Sequence, residues 1–256
     1  MIRVPHAALR EGLLEDVDRP VFATVSGAHL YGFESPDSDV DLRGAFSAPR
    51  AALLGLRTEI PTKTVMRVED GVELDWVAHE VRKTVRLCVT GSGEVLEQVH
   101  SPLVLRTGPW HEELVELARA CEPRAHARHN RGIRPSRRAR LDGPPATLKA
   151  LLYAYRSALT GVHVLEGGGI EASLPALLAE RPQAGVCELI ERKRIGAEKE
   201  PLEEGEAERH RGALDALQRR LDALGSTSSL PAALEPGSPG WRARDDFLVR
   251  IRPDEL

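Results

Sequence analysis

Aromatic side chains are scarce in this 256-residue chain: four Phe, three Trp and three Tyr make up 4% of it. So few flat rings exclude a surface built to stack on successive bases, and any contact with nucleic acid is expected to run through charge. Cysteine is nearly absent. Cys88, Cys121 and Cys187 are odd in number, far apart and in no metal-ligand spacing, which excludes a disulfide scaffold and leaves reduced thiols that behave as small hydrophobes. No apolar run approaches the ~20 residues a membrane span requires, and "MIRVPHAALREGLLEDVDRP" has no signal-peptide apolar region. A cytoplasmic chain with no membrane partner is expected. Positive excess is lacking as well: the net charge is −4, which argues against wholesale nucleic-acid binding but not against a local basic patch.

What is present is a hydrophobic content of 41%, enough to build a core in one large domain or two small ones. "RPVFATVSG" reads as a buried strand ending in a glycine turn, "DVDLRGAFSA" as a second strand, and "VELDWVAHEV" as a third that runs into a helix. From "HEELVELARACE" onward the apolar period is helical, through "ATLKALLYAYRSALTGVHVLE", "SLPALLAE", "GVCELIERKRIG" and "EEGEAERHRGALDALQRRLDALG". "GSTSSLPAALEPGSPG" reads as an irregular link to a short tail, "WRARDDFLVRIRPDEL". The expected organisation is a mixed α/β (α+β) domain over 1–108, a basic helix and loop connector over 109–145, a helical domain over 146–225, and the link and tail over 226–256.

The chemistry concentrates in "SGAHLYGFESPDSDVDLRG", residues 26–44. Side chains alternate faces along a strand, so Asp39 and Asp41 point one way while Val40 and Leu42 point the other. Two carboxylates crowded on one patch repel, a cost that makes sense if divalent cations sit between them. Mg²⁺ accepts carboxylate oxygens and keeps positions open for water or substrate phosphate. A third acid is expected from "DGVELDWVAHEV", where Glu73 and Asp75 share a face; Asp75 is favoured, with Glu73 as the alternative. Three carboxylates around two metals can activate an attacking hydroxyl and stabilise a leaving pyrophosphate.

"VSGAHLYG", then "DVD", then "LDW" resembles the signature of the DNA polymerase β-like nucleotidyltransferase superfamily. "GAHLYGFESPDSDVDLRG", "LDWVAHEVRKTVRL", "EVLEQVHSPLVL", "LKALLYAYRSAL" and "ELIERKRIG" together are similar to the predicted nucleotidyltransferases associated with RNA repair, over roughly residues 20–200. The resemblance implies a twisted mixed sheet with helices followed by a helical domain. It implies transfer of a nucleoside monophosphate from an NTP donor to an acceptor hydroxyl, with two Mg²⁺ (or Mn²⁺) ions held by Asp39, Asp41 and Asp75. RNA is the expected acceptor, with a protein or small molecule as the alternative. The family turn reads Gly-Ser, and its serine hydroxyl helps hold the triphosphate; here Gly27 is followed by Ala28. Loss of one such bond to a charged group costs about 1.5–3 kcal/mol. Backbone N–H groups at Gly27 and Ala28 remain, and Ser26, His29 or a more remote side chain is the expected substitute donor. The missing hydroxyl also keeps open a nucleotide-binding module that has lost turnover.

Other signals have bland alternatives. Arg43 either balances the aspartates or contacts phosphate. Lys149, Tyr153 and Arg156 share one helical face, solvated or in contact with triphosphate and base. Arg134, Arg137, Arg138 and Arg140 lie in a stretch rich in arginine, either a solvated connector or a phosphate-binding segment for RNA. His126 and His129 stand at helical spacing in "RAHARHN", which contains no Cys, Asp or Glu to complete a zinc set.

Overall fold

The structure is a computed structural model that describes residues 19–54, 56, 61–69, 72–119, 146–230 and 234–252. The described residues form five strands and ten helices. In chain order these are β1 (Pro20–Val25), α1 (Gly27–Tyr31), β2 (Val40–Phe46), α2 (Arg50–Leu54), β3 (Thr62–Glu69), β4 (Val72–Glu80), α3 (Val81–Val89), α4 (Gly93–Val99), β5 (Val104–Thr107) and α5 (His111–Arg119). After them come α6 (Leu148–Leu165), α7 (Leu174–Glu180), α8 (Val186–Ile195), α9 (Glu206–Thr227) and α10 (Pro239–Arg250). No helix among the described residues is long and apolar enough to cross a membrane.

The chain clusters into two units. One combines Met1–Gly27, Asp39–Cys121 and Ala233–Leu256; the other combines Ala28–Ser38 and Glu122–Ala232.

The first unit holds the sheet, ordered β3-β4-β2-β1-β5. β2 and β4 pair in parallel, and every other pair is antiparallel, so the sheet is mixed as expected. Alternation works as read: Val40, Leu42, Leu74, Trp76 and Ala78 are buried in one core cluster with Ala23, Val25 and Phe46. Gly44 belongs to this packing, because a Cβ there would lie 2.3 Å from the Phe22 carbonyl oxygen and 2.7 Å from the Trp76 ring. The opposite face carries Asp41 and Arg43 on β2 and Asp75, Val77 and His79 on β4, all half-buried.

The strands β3 and β5 and the helix α10 lie outside the sequence expectation, as do the short helices α2 and α4. β3 is an edge strand whose Met66 and Val68 are exposed, and β5 is four exposed residues, so neither shows the apolar alternation of a half-buried strand. The segment read as an irregular link and a short tail contains α10. Ser238 accepts a hydrogen bond from the Trp241 N–H at 3.2 Å and Pro239 opens the helix, a start signal hidden inside a Ser/Pro/Gly cluster. α10 buries Phe247 against this unit, where the Phe247 ring meets Trp110 edge-on at 6.2 Å and Arg252 just beyond the helix pairs with Glu80 at 2.9 Å.

The second unit is helical, as expected. α6 is its buried centre, with Leu148, Leu151, Leu152, Tyr155 and Leu159 all inaccessible, and it packs on α7, α8 and α9. Its start is fixed by Thr147, whose hydroxyl accepts from the Ala150 N–H at 3.2 Å.

Candidate active site

Parallel pairing of β2 with β4 sets Asp41 directly beside Asp75. Neighbouring strands are roughly 4.8 Å apart, so two carboxylates on the same face of such a pair cannot avoid one another. Arg43 stands between them. Its Nη2 donates to Asp41 Oδ1 at 2.7 Å and to Asp75 Oδ2 at 2.9 Å, while Nη1 donates to the Leu42 and Asp75 carbonyl oxygens at 2.7 Å each. The guanidinium fork is fastened to both strands and compensates the acid pair. Of the two sequence readings of Arg43, this geometry carries charge balance.

The glycine turn is built onto the same carboxylate. The Ser26 N–H donates to the Asp41 carbonyl oxygen at 2.8 Å, closing the end of β1 against β2. Gly27 follows at φ +62°, and a Cβ on it would fall 1.9 Å from Asp41 Oδ2. Only glycine satisfies both demands. The turn, Asp41 and Asp75 are therefore one assembly, made from three places in the chain. Ser26 is buried, and so is Ala28, which belongs to the second unit.

Asp39 lies one residue ahead of β2 and is half-buried, whereas Glu73 is exposed. Among the described residues no three His, Cys, Asp or Glu side chains are grouped to hold a metal ion. The donor chemistry of Asp41 and Asp75 nonetheless suits a hard cation: both present carboxylate oxygens to one positive group, which here is the Arg43 guanidinium. A divalent ion on those oxygens requires Arg43 to give way.

His79 continues the same face of β4. Burial, then the charges of Lys83 and Arg43, holds its imidazole at about 4, so it is neutral at physiological pH. Its Nδ1 lies 3.1 Å from Thr62 Oγ1, which also accepts from Lys83 Nζ.

A chain of this length that sets a Gly-turn carboxylate beside a second acid across parallel strands invites comparison with known proteins. The profile of the RNA repair pathway DNA polymerase beta family matches residues 8–250. The chain belongs to this family. A curated relative, an uncharacterized protein of Methanocaldococcus jannaschii, is 28% identical over 151 residues, which are 58% of this chain and 61% of that one. The chain thus spans about three-fifths of that relative's length. The crystal structure of a nucleotidyltransferase-like protein from Exiguobacterium sibiricum aligns at 11% identity and a TM-score of 0.34, covering 86% of this chain and 75% of that one.

In this member of the RNA repair pathway DNA polymerase beta family, Lys149 and Tyr153 lie in the second unit. Their helical face is not a solvated one. Tyr153 meets Tyr31 edge-on at 5.3 Å and Phe33 at 5.5 Å, and the Arg156 guanidinium stacks 3.9 Å from the Tyr31 ring centre. Lys149 pairs with Glu198. That glutamate is the hub of a network the sequence reading missed. Lys193, fully buried, donates to Glu198 Oε2 at 2.7 Å and to Ser35 Oγ at 2.6 Å; Ser38 Oγ donates to the same carboxylate at 2.8 Å, and the Glu198 N–H donates to both Asp37 oxygens. Burial raises the Glu198 pKa, but the bonds from Lys149, Lys193 and Ser38 outweigh it and hold the group at about 2. The available signal was a polar tetrapeptide, "SPDS", and a lysine amid "ERKRIG"; neither has a period that reveals burial. Arg134, Arg137, Arg138 and Arg140, with His126 and His129, lie outside the described residues.

Proposed function

We propose that this protein transfers a nucleoside monophosphate from an NTP to an acceptor hydroxyl on RNA and releases pyrophosphate. The observation that carries the reading is the seating of Gly27 on Asp41, with Asp75 alongside in parallel register. The turn amide at Gly27 takes a phosphate oxygen of the donor. Asp41 and Asp75, with Asp39, would hold Mg²⁺ or Mn²⁺, which when bound would supply charge neutralisation at the phosphates and lower the pKa of the attacking hydroxyl. The acceptor oxygen forms a bond to the α-phosphorus, the bond from that phosphorus to the bridging oxygen breaks, pyrophosphate leaves with both electrons of that bond, and the hydroxyl proton goes to solvent. Arg43 keeps the acid pair compensated when no donor complex is bound.

The test is pyrophosphate release from each NTP with Mg²⁺, followed by transfer of labelled nucleotide to RNA. Asp41→Asn and Asp75→Asn are expected to lower kcat by at least ~10²-fold, Asp75→Asn with donor binding retained. Near-normal turnover in either variant rejects the assignment. A second reading, a nucleotide-binding module without turnover, is favoured by Ala28 and by the fourfold anchoring of Arg43 between the acids. Its signature is NTP binding with no pyrophosphate released.

A further inference from the structure

The face of β4 that carries Asp75 leads through Val77 and His79 into α3, and beside α3 the first unit opens into a cleft of about 430 Å³. Arg82, Lys83 and Arg86 line it with Glu80 and Thr90, over apolar Leu53, Pro61 and Leu87. Arg82 and Arg86 are exposed and one helical turn apart, and neither guanidinium forms an ion pair among the described residues. Lys83 is held toward the sheet by Thr62.

The placement of Arg82 and Lys83 opposes what stability alone would choose, whereas Arg86 in the last turn of α3 suits the negative end of the helix dipole. The first turn of a helix is the positive end of its dipole and favours acids, yet α3 has no acid in its first turn and carries Arg82 and Lys83 there. The acid at the cap, Glu80, is already used: its carboxylate accepts from the Arg82 N–H at 2.8 Å and pairs with Arg252. Lys83 also contributes to the field that keeps His79 neutral. Two guanidinium groups and an ammonium thus line one cleft whose one acidic lining residue, Glu80, is already bonded to the Arg82 N–H and to Arg252.

We infer that this cleft binds the phosphodiester backbone of the acceptor RNA strand. The inference rests on the nucleotidyl-transfer reading above and adds where the strand lies. Donor triphosphate is taken up at the Gly27 turn, and Asp75 is four residues from His79, about 13 Å along an extended strand. A strand whose reactive hydroxyl meets Asp75 reaches the cleft with phosphates upstream of its end. Guanidinium groups contact those phosphates without reading bases.

The experiment uses the full chain, wild type and Arg82→Gln/Arg86→Gln, with a short fluorescein-labelled single-stranded RNA across a KCl series. Calorimetry with a non-hydrolysable NTP and a thermal melt accompany it. Loss of two phosphate contacts is expected to flatten the log–log salt slope by about 1.4 and to weaken RNA binding roughly tenfold near physiological salt, regardless of sequence. NTP affinity is expected to stay the same and the melting temperature to stay level or rise, a combination that a structural role for these arginines does not produce. Equal slopes and affinities in the two proteins overturn the cleft while the acceptor reading stands. Failure of the wild type to bind RNA or to transfer nucleotide to it overturns the acceptor reading and the cleft with it.

Discussion

Arg43 shows how one side chain can be read two ways. In the sequence it sits two residues beyond Asp41 and so on the same face, which makes a contact to that acid legible from alternation alone. Its reach to Asp75 was not legible, because it depends on β4 lying parallel to β2 in one particular register, and register is a tertiary outcome. Gly27 was legible as a turn; that its Cα rests on the Asp41 carboxylate was not. If a divalent ion takes the carboxylate oxygens that Arg43 holds, removing the arginine has opposite effects with and without metal. Arg43→Met is expected to cost about 2 kcal/mol in metal-free buffer, where two partly buried carboxylates lose their counter-charge. Added Mg²⁺ is then expected to raise the melting temperature of the variant more than that of the wild type, since ligand binding to the folded state adds stability by mass action. Calorimetric scans of both proteins over a Mg²⁺ series measure this. Equal Mg²⁺ shifts would remove Asp41 and Asp75 from the metal site.

At the scale of elements, the parts with a strong internal period were legible and those defined by a neighbour were not. α6 announces itself through eighteen residues of helical pattern, and β4 through the alternation of Leu74, Trp76 and Ala78 against Asp75, Val77 and His79. β5 exists because β1 offers it an edge, and α10 because Trp110 and the helices of the first unit receive Phe247. The loop over 33–38 is the same case: it is ordered by α8 and the residue Glu198 beyond it, through bonds of Ser35, Asp37 and Ser38. This network makes a pH prediction with a definite sign. The folded Glu198 carboxylate titrates at about 2, below its ordinary 4.5, so its contribution is complete above roughly pH 4.5 and is lost as pH falls from there toward 2. Lys193→Met removes one of the donors that depress that value. The acid limb of the stability curve is therefore expected to move to higher pH, with faster amide exchange in 33–38 at neutral pH. Urea titrations from pH 7 down to pH 3 and hydrogen exchange test it; an unchanged acid limb would mean Lys193 is a passive filler.

For the molecule as a whole, the consequential feature is the path of the chain. The unit that contains the sheet is assembled from three separated stretches, and its last contributor, α10, is among the final described residues. Phe247, Leu248 and Ile251 are buried there, each worth about 1.5–3 kcal/mol, so together they approach the 5–15 kcal/mol by which a whole domain is stable. That has a meaning in time. A ribosome emits the chain from one end at ~5–20 residues per second, and about 140 residues separate the last strand from Ile251, a wait on the order of ten seconds. Throughout that interval the helices beside the sheet are expected to expose the surface that Phe247 covers in the finished fold. Chains stalled with residue 238 at the tunnel exit are expected to be cut by protease within α3–α5, and chains stalled well after residue 252 to resist. Equal resistance at both stall points would show that the sheet closes without its final helix. On that reading, translation speed across the helical unit is expected to set how long the acid pair waits for a finished scaffold.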